Sequence, residues 1–156
     1  MRLRLIAVGT RLPAWVQSGV SDYVARFPRE WRFELTEIPV AARGANPDIA
    51  RLKDAEGQRM LKAIPDGARV IALDERGDAL DTVQWSKALA QWQQDGRDTC
   101  LLIGGPDGLA PACRSRAERA WSLSKLTLPH ALVRVLVAEQ LYRAWSVLAN
   151  HPFHRA

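Results

Sequence analysis

The 156 residues suit a single domain, and 47% apolar with 25% charged residues is ordinary globular composition. No apolar run approaches the roughly eighteen residues of a membrane span, so no membrane partner is expected. The formal charge is +5, arginine outnumbers lysine eighteen to four, and Cys100 and Cys113 are the only cysteines; this favours a polyanionic partner and argues against a disulfide framework or a CxxC zinc site.

In chain order, Met1 to Gly9 places Arg2 and Arg4 among short apolar residues. That suits a first strand over 2–9 better than a secretion signal, so the protein is expected in the cytoplasm. Val16, Val20, Tyr23, Val24 and Phe27 make a helical stripe. A second alternating strand covers 32–38; like the first, it reads as half-exposed. After the loop Arg43-Gly44-Ala45-Asn46-Pro47 a helix is marked by Ile49, Leu52, Met60, Leu61 and Ile64, with Pro47 suited to its first turn. Strands at 68–73 and 98–103 are continuously apolar over 70–73 and 100–103, as strands covered on both faces are. Between them Trp85, Ala88, Leu89 and Trp92 give a helix, and a fifth strand is read at 121–127. Alternating β and α predicts an α/β fold, one domain over 1–156, with a mostly parallel sheet and helices on both faces.

The last helix, about 131–149, is apolar nearly all round: Leu132, Val133, Val135, Leu136, Val137, Leu141, Tyr142, Trp145, Val147 and Leu148. Such a helix must be buried all round. The chain's own core or a second subunit could cover it. Glu139 and Arg143, four apart, are placed to pair.

The buried strand ending at Ile103 breaks into Gly104-Gly105-Pro106-Asp107-Gly108. This is neither the GxGxxG fingerprint nor a P-loop, because the spacing differs and Pro106 lacks an amide hydrogen. Its position matters more, since α/β proteins bind ligands where strands end. A second loop, Leu123 to His130, follows one helix later. His130, His151 and His154 do not read as a metal site, since Pro152 keeps the last two off a helical face and no acidic residue is near them. With no nucleophile elbow or carboxylate pair in view, transfer from an activated cofactor fits best.

These residues carry a resemblance. Ile103 to Gly108, Leu123-Ser124-Lys125-Leu126-Thr127-Leu128-Pro129-His130, Leu132-Val133-Arg134-Val135-Leu136 and Glu139-Gln140-Leu141-Tyr142-Arg143-Ala144 resemble the bacterial large-subunit rRNA pseudouridine N3-methyltransferases. These belong to the SPOUT superfamily of α/β-knot enzymes. The likeness runs the full length and is weakest around 53–98. It implies a C-terminal trefoil knot, a homodimer, S-adenosylmethionine as cofactor and 23S rRNA in the ribosome as partner. It assigns the cofactor to Leu73, Gly104, Gly105, Leu123, Ser124, Lys125, Leu126, Thr127 and Leu128, with a Cβ on Gly105 expected to enter the ligand's space. For catalysis it points to His154 and Arg155 in the tail, then Arg134. Two residues depart from the pattern: Ala131 where proline is expected and Phe153 where tyrosine is usual. A different RNA such as tRNA, or a ribosome-binding factor without activity, remain open alternatives.

Overall fold

Five apolar runs become the strands of one sheet in the computed structural model, which describes residues 1–155. They are β1 (Arg2–Val8), β2 (Arg32–Ile38), β3 (Arg69–Ala79), β4 (Thr99–Ile103) and β5 (Arg119–Ser122), ordered β2-β1-β4-β3-β5 with every neighbouring pair parallel. The helices are α1 (Ala14–Val24), α2 (Ile49–Lys62), α3 (Thr82–Asp95), α4 (Pro111–Arg116) and α5 (His130–Leu148), and a 3-10 turn spans Pro152–Arg155. Residue 156, the end of the expected domain, lies outside the described residues.

The period of two along each strand sorts the core onto two faces. Leu3, Leu5, Ala7, Ile71, Leu101 and Ile103 point to one face, where Trp85, Leu89 and Trp92 of α3 and Val137, Leu141 and Ala144 of α5 cover them. Ile6, Val8, Val70, Ala72, Cys100 and Leu102 point to the other, against Met60 of α2 and Cys113 of α4. Helix α1 packs on α5, adding a flank to the first layer. The indole of Trp121 lies 5.6 Å from that of Trp92, stacked on it, and 5.0 Å from that of Trp85. Both cysteines are free and buried; burial pushes the Cys100 thiol up to about 11 and Cys113 in the same direction, so neither is a reactive thiolate.

Several local expectations change. Strand β1 is buried over most of its length because it lies between β2 and β4; Arg2 and Arg4 sit at its start, where Arg4 donates to the Ala63 carbonyl at 2.7 Å and to Glu34 at 2.9 Å. Edge strand β2 is half-exposed as read. Pro47 precedes the cap of α2 instead of opening its first turn, and the Asp48 carboxylate accepts from the Arg51 amide at 3.2 Å. Strand β3 runs on through polar residues to Ala79, with a register shift between Leu73 and Asp78. Gly77 makes this extension possible, because a Cβ there would lie 2.5 Å from the Ala120 backbone. Strand β5 stops at Ser122, where the serine hydroxyl donates to the Ser124 carbonyl at 2.8 Å and turns the chain out of the sheet. Helix α5 is half-covered at Ala131, Leu132, Val133, Val135 and Leu136, so within one chain it is not buried all round.

Candidate active site

Parallel strands end together, so Val8, Ile38, Leu73, Ile103 and Ser122 lie along one edge of the sheet. Beyond β3, β4 and β5 that edge opens into a cleft of about 760 Å³. Its apolar lining is Leu73, Ile103, Leu109, Trp121, Leu123, Leu126, Leu128 and Val133, and its charged residues are Lys53, Asp74, Glu75, Arg76, Asp107 and Arg114.

One wall is the glycine loop, which folds back on itself. Gly105 and Gly108 form an antiparallel bridge, and the Gly108 amide donates to the Gly105 carbonyl at 3.0 Å. A Cβ on Gly104 would lie 2.4 Å from the Gly108 carbonyl carbon, so only glycine allows this return. A Cβ on Gly105 would lie 2.8 Å from Val8 Cγ1 and 3.7 Å from Glu56 Oε1. It would therefore press on β1 behind the loop and not enter the ligand's space as the sequence suggested. An ion pair between Arg43 and Asp107 ties the loop to the β2–α2 connection.

The other wall is the segment from Ser122 to His130. Its backbone is shaped by serine turns, with the Leu126 amide donating to Ser124 Oγ at 2.9 Å. Leu126 is 72% exposed at the cleft. Between the walls, Arg114 Nε stands 2.8 Å from the Asp74 carboxylate, which also accepts from the Arg76 amide at 3.0 Å.

Of the nine residues assigned to the cofactor, Leu73, Gly104, Gly105, Leu123, Ser124, Leu126, Thr127 and Leu128 line this cleft. Lys125 is exposed and outside it.

The three catalytic candidates lie elsewhere. Arg134 is 2% exposed; it donates to Glu37 at 2.6 Å, to the Gly9 carbonyl at 2.7 Å and to the Val8 carbonyl at 3.3 Å. His154 and Arg155 stand in the terminal 3-10 turn, beyond the far end of α5 from the cleft. That turn is not a loose end. The Phe153 ring sits 4.6 Å from that of Tyr142 and 6.4 Å from that of Tyr23, with the Arg143 guanidinium 4.8 Å from its centre. His151 packs near Tyr142 and Trp145, so α5 separates it from His130. Glu139 and Arg143 pair as spaced.

His130, read as part of a loop and set aside as a metal ligand, opens α5 and lines the cleft. Its Nδ1 is buried without a hydrogen-bond partner. Burial first, then the Arg134 guanidinium, holds the imidazole below the ordinary histidine range, with Glu56 opposing. Lys53, Asp74, Glu75, Arg76 and Arg114 were missed, because α2, β3 and α4 bring them together from distant parts of the chain.

A family model described as "Predicted SPOUT methyltransferase" matches residues 1–154. Among solved structures, a protein assigned to a methylase family from Neisseria gonorrhoeae superposes with a TM-score of 0.57 at 17% identity, over 90% of this chain and 81% of that one. A "probable methyltransferase" from Bordetella pertussis gives 0.56 at 17% identity, over 91% and 95%. TrmJ from Zymomonas mobilis gives 0.51 at 15% identity, over 90% and 69%. At such identities these three likenesses speak for the fold alone.

Proposed function

Because this chain belongs to the SPOUT methyltransferase family, we propose that it transfers a methyl group from S-adenosylmethionine to RNA, at N3 of a pseudouridine in the 23S rRNA of cytoplasmic ribosomes. The observation that carries this reading is the cleft at the carboxyl edge, which gathers eight of the nine residues the resemblance assigned to the cofactor. A volume of about 760 Å³ is within the range of small-molecule sites. The chemistry of the lining fits the group: apolar side chains for an adenine ring and a thioether, backbone for hydrogen bonds, and charged residues at the cleft for an amino acid.

When bound, the cofactor supplies an electrophilic methyl group on a sulfonium that needs no help to leave. The protein's part is therefore alignment and exclusion of water. Leu73, Trp121 and Leu128 offer apolar contact, and the glycine loop presents backbone without side chains. Lys125 joins this set through its loop. His154 and Arg155 are proposed as RNA contacts, since the imidazole and the guanidinium are carried on a turn held by Phe153.

A homodimer and a C-terminal trefoil knot belong to the same proposal. Half-covered Leu132, Val135 and Leu136 on α5, and Trp15 at 58% exposure on the adjoining α1, are apolar surface that a second copy would bury. Calorimetry with S-adenosylmethionine tests the cofactor, and sedimentation tests the dimer. Micromolar-range binding and a dimer are expected; a monomer that ignores the cofactor would leave only a binding factor.

A further inference from the structure

We propose that His130 is the proton acceptor of the transfer step, with Arg134 behind it as its positioning residue; the inference rests on the methyltransferase reading above. An imide nitrogen carries a hydrogen that must leave as the nitrogen attacks. In balance, the N–H bond breaks with its electron pair remaining on nitrogen. That pair forms the new bond to the methyl carbon, the carbon–sulfur bond breaks onto sulfur, and the proton passes to the imidazole. A general base worth its place lies in the cleft and is unprotonated at working pH.

Among the described residues lining the cleft, few groups meet that condition. Asp74 is held by Arg114 and Asp107 by Arg43. Lys53, Arg76 and Arg114 are cations, and Glu75 is exposed to solvent. His130 is the one imidazole there. With Nδ1 buried and unpartnered, Nε2 is the nitrogen left for the cleft.

The setting behind the ring is built. Arg134 follows His130 by one helical turn, so both side chains leave the same face of α5. Both meet Gly9, where an added Cβ would lie 3.3 Å from Arg134 Nη2 and 3.6 Å from His130 Cε1. Gly9 has φ of 120°, closed to other residues, and its carbonyl accepts from Arg134. The groups facing this ring are Arg134 on its own helix, Glu56 on α2, and Glu37 of β2 through its bond to Arg134. Lys53 of α2 and Asp74 to Arg76 of β3 share the cleft. Burial, and then the cation next door, oppose a second positive charge, which keeps the ring neutral before transfer and favours release of the proton afterwards.

Two measurements on the full chain test this. In histidine-labelled protein without substrate, the NMR signal assigned by its loss in His130→Gln should titrate below the ordinary histidine range. It should move up in Arg134→Gln and stay low in Arg134→Lys. A ring that titrates normally and ignores Arg134 would overturn the proposal. In methyl transfer to RNA, His130→Gln and His130→Asn should lower kcat about 100-fold. Cofactor affinity should stay within about twofold, and the acid limb of the pH profile should vanish; His154→Ala should retain that limb. A folded His130 variant with the wild-type profile would overturn this proposal alone. Failure of the wild-type chain to methylate any RNA would overturn it together with the reading it rests on.

Discussion

The two walls of the cleft are built in opposite ways. The glycine loop is fixed from every side: it bridges itself, its backbone returns where a Cβ of Gly104 would sit, Gly105 rests against Val8, and Asp107 is paired with Arg43. The wall from Leu123 to Pro129 is held by its own serine turns and presents Leu126 at 72% exposure. One wall is fixed by its own contacts; the other leaves apolar surface that a ligand would cover. Preorganised backbone keeps orientation cheap in entropy, while the apolar wall adds affinity by burial.

Substitution breaks the first wall hardest. Gly104→Val should destabilise the fold by about 3 kcal/mol and abolish cofactor binding, since its neighbour is backbone that cannot yield. Gly105→Val should cost about 2 kcal/mol by pushing on Val8, with the loop displaced and binding weakened. Denaturant melts followed by calorimetry check both. A stable Gly105→Val protein lacking only cofactor binding would restore the Cβ to the ligand's side.

The second wall should respond the other way. Leu126→Ala should leave stability within about 0.5 kcal/mol, as for an exposed side chain. It should weaken the cofactor roughly tenfold, through the lost burial of a leucine. Unchanged affinity would show that this wall stays open. Removing 152–156, of which the described residues 152–155 join neither wall, should cost about 1 kcal/mol through loss of the Phe153 aromatic contacts. It should reduce RNA turnover much more than cofactor affinity. Equal turnover by the truncated chain would leave the tail with packing alone.

The smallest effect is in pH. The folded state lowers the His130 pKa, so between that value and the ordinary one of about 6.5 the unfolded chain binds more protons. Stability therefore rises with pH across the window and falls on acidification. The wild-type melting temperature should drop more than that of His130→Gln as pH goes from about 7 to about 5. Parallel curves would contradict the shift.

Much of this was legible in the residues. Period-two alternation placed β2 and the 3.6-residue period placed α3, while nearly unbroken apolar runs placed β4 and α5. The glycine loop was legible by position, after a strand buried throughout. The rest depended on neighbours. Residues 74–78 are polar, and they extend β3 only because Gly77 lets the backbone approach Ala120. Residues 123–127 are partly apolar but leave the sheet because Ser122 bonds its own chain. Arg134 was read toward catalysis from its place in a motif; its burial and its bonds to β1 and β2 depend on how α5 crosses the sheet. His130 was legible as a loop residue, but its setting was not, because its surroundings come from α2 and the end of β1.

The most direct measurement is methyl transfer from labelled S-adenosylmethionine to assembled ribosomes, free large subunits and bulk tRNA, with the modified nucleoside identified by mass. The account predicts label on N3 of a pseudouridine in 23S rRNA and none on tRNA. Label on tRNA, or none on any RNA from a folded protein that binds the cofactor, would contradict it.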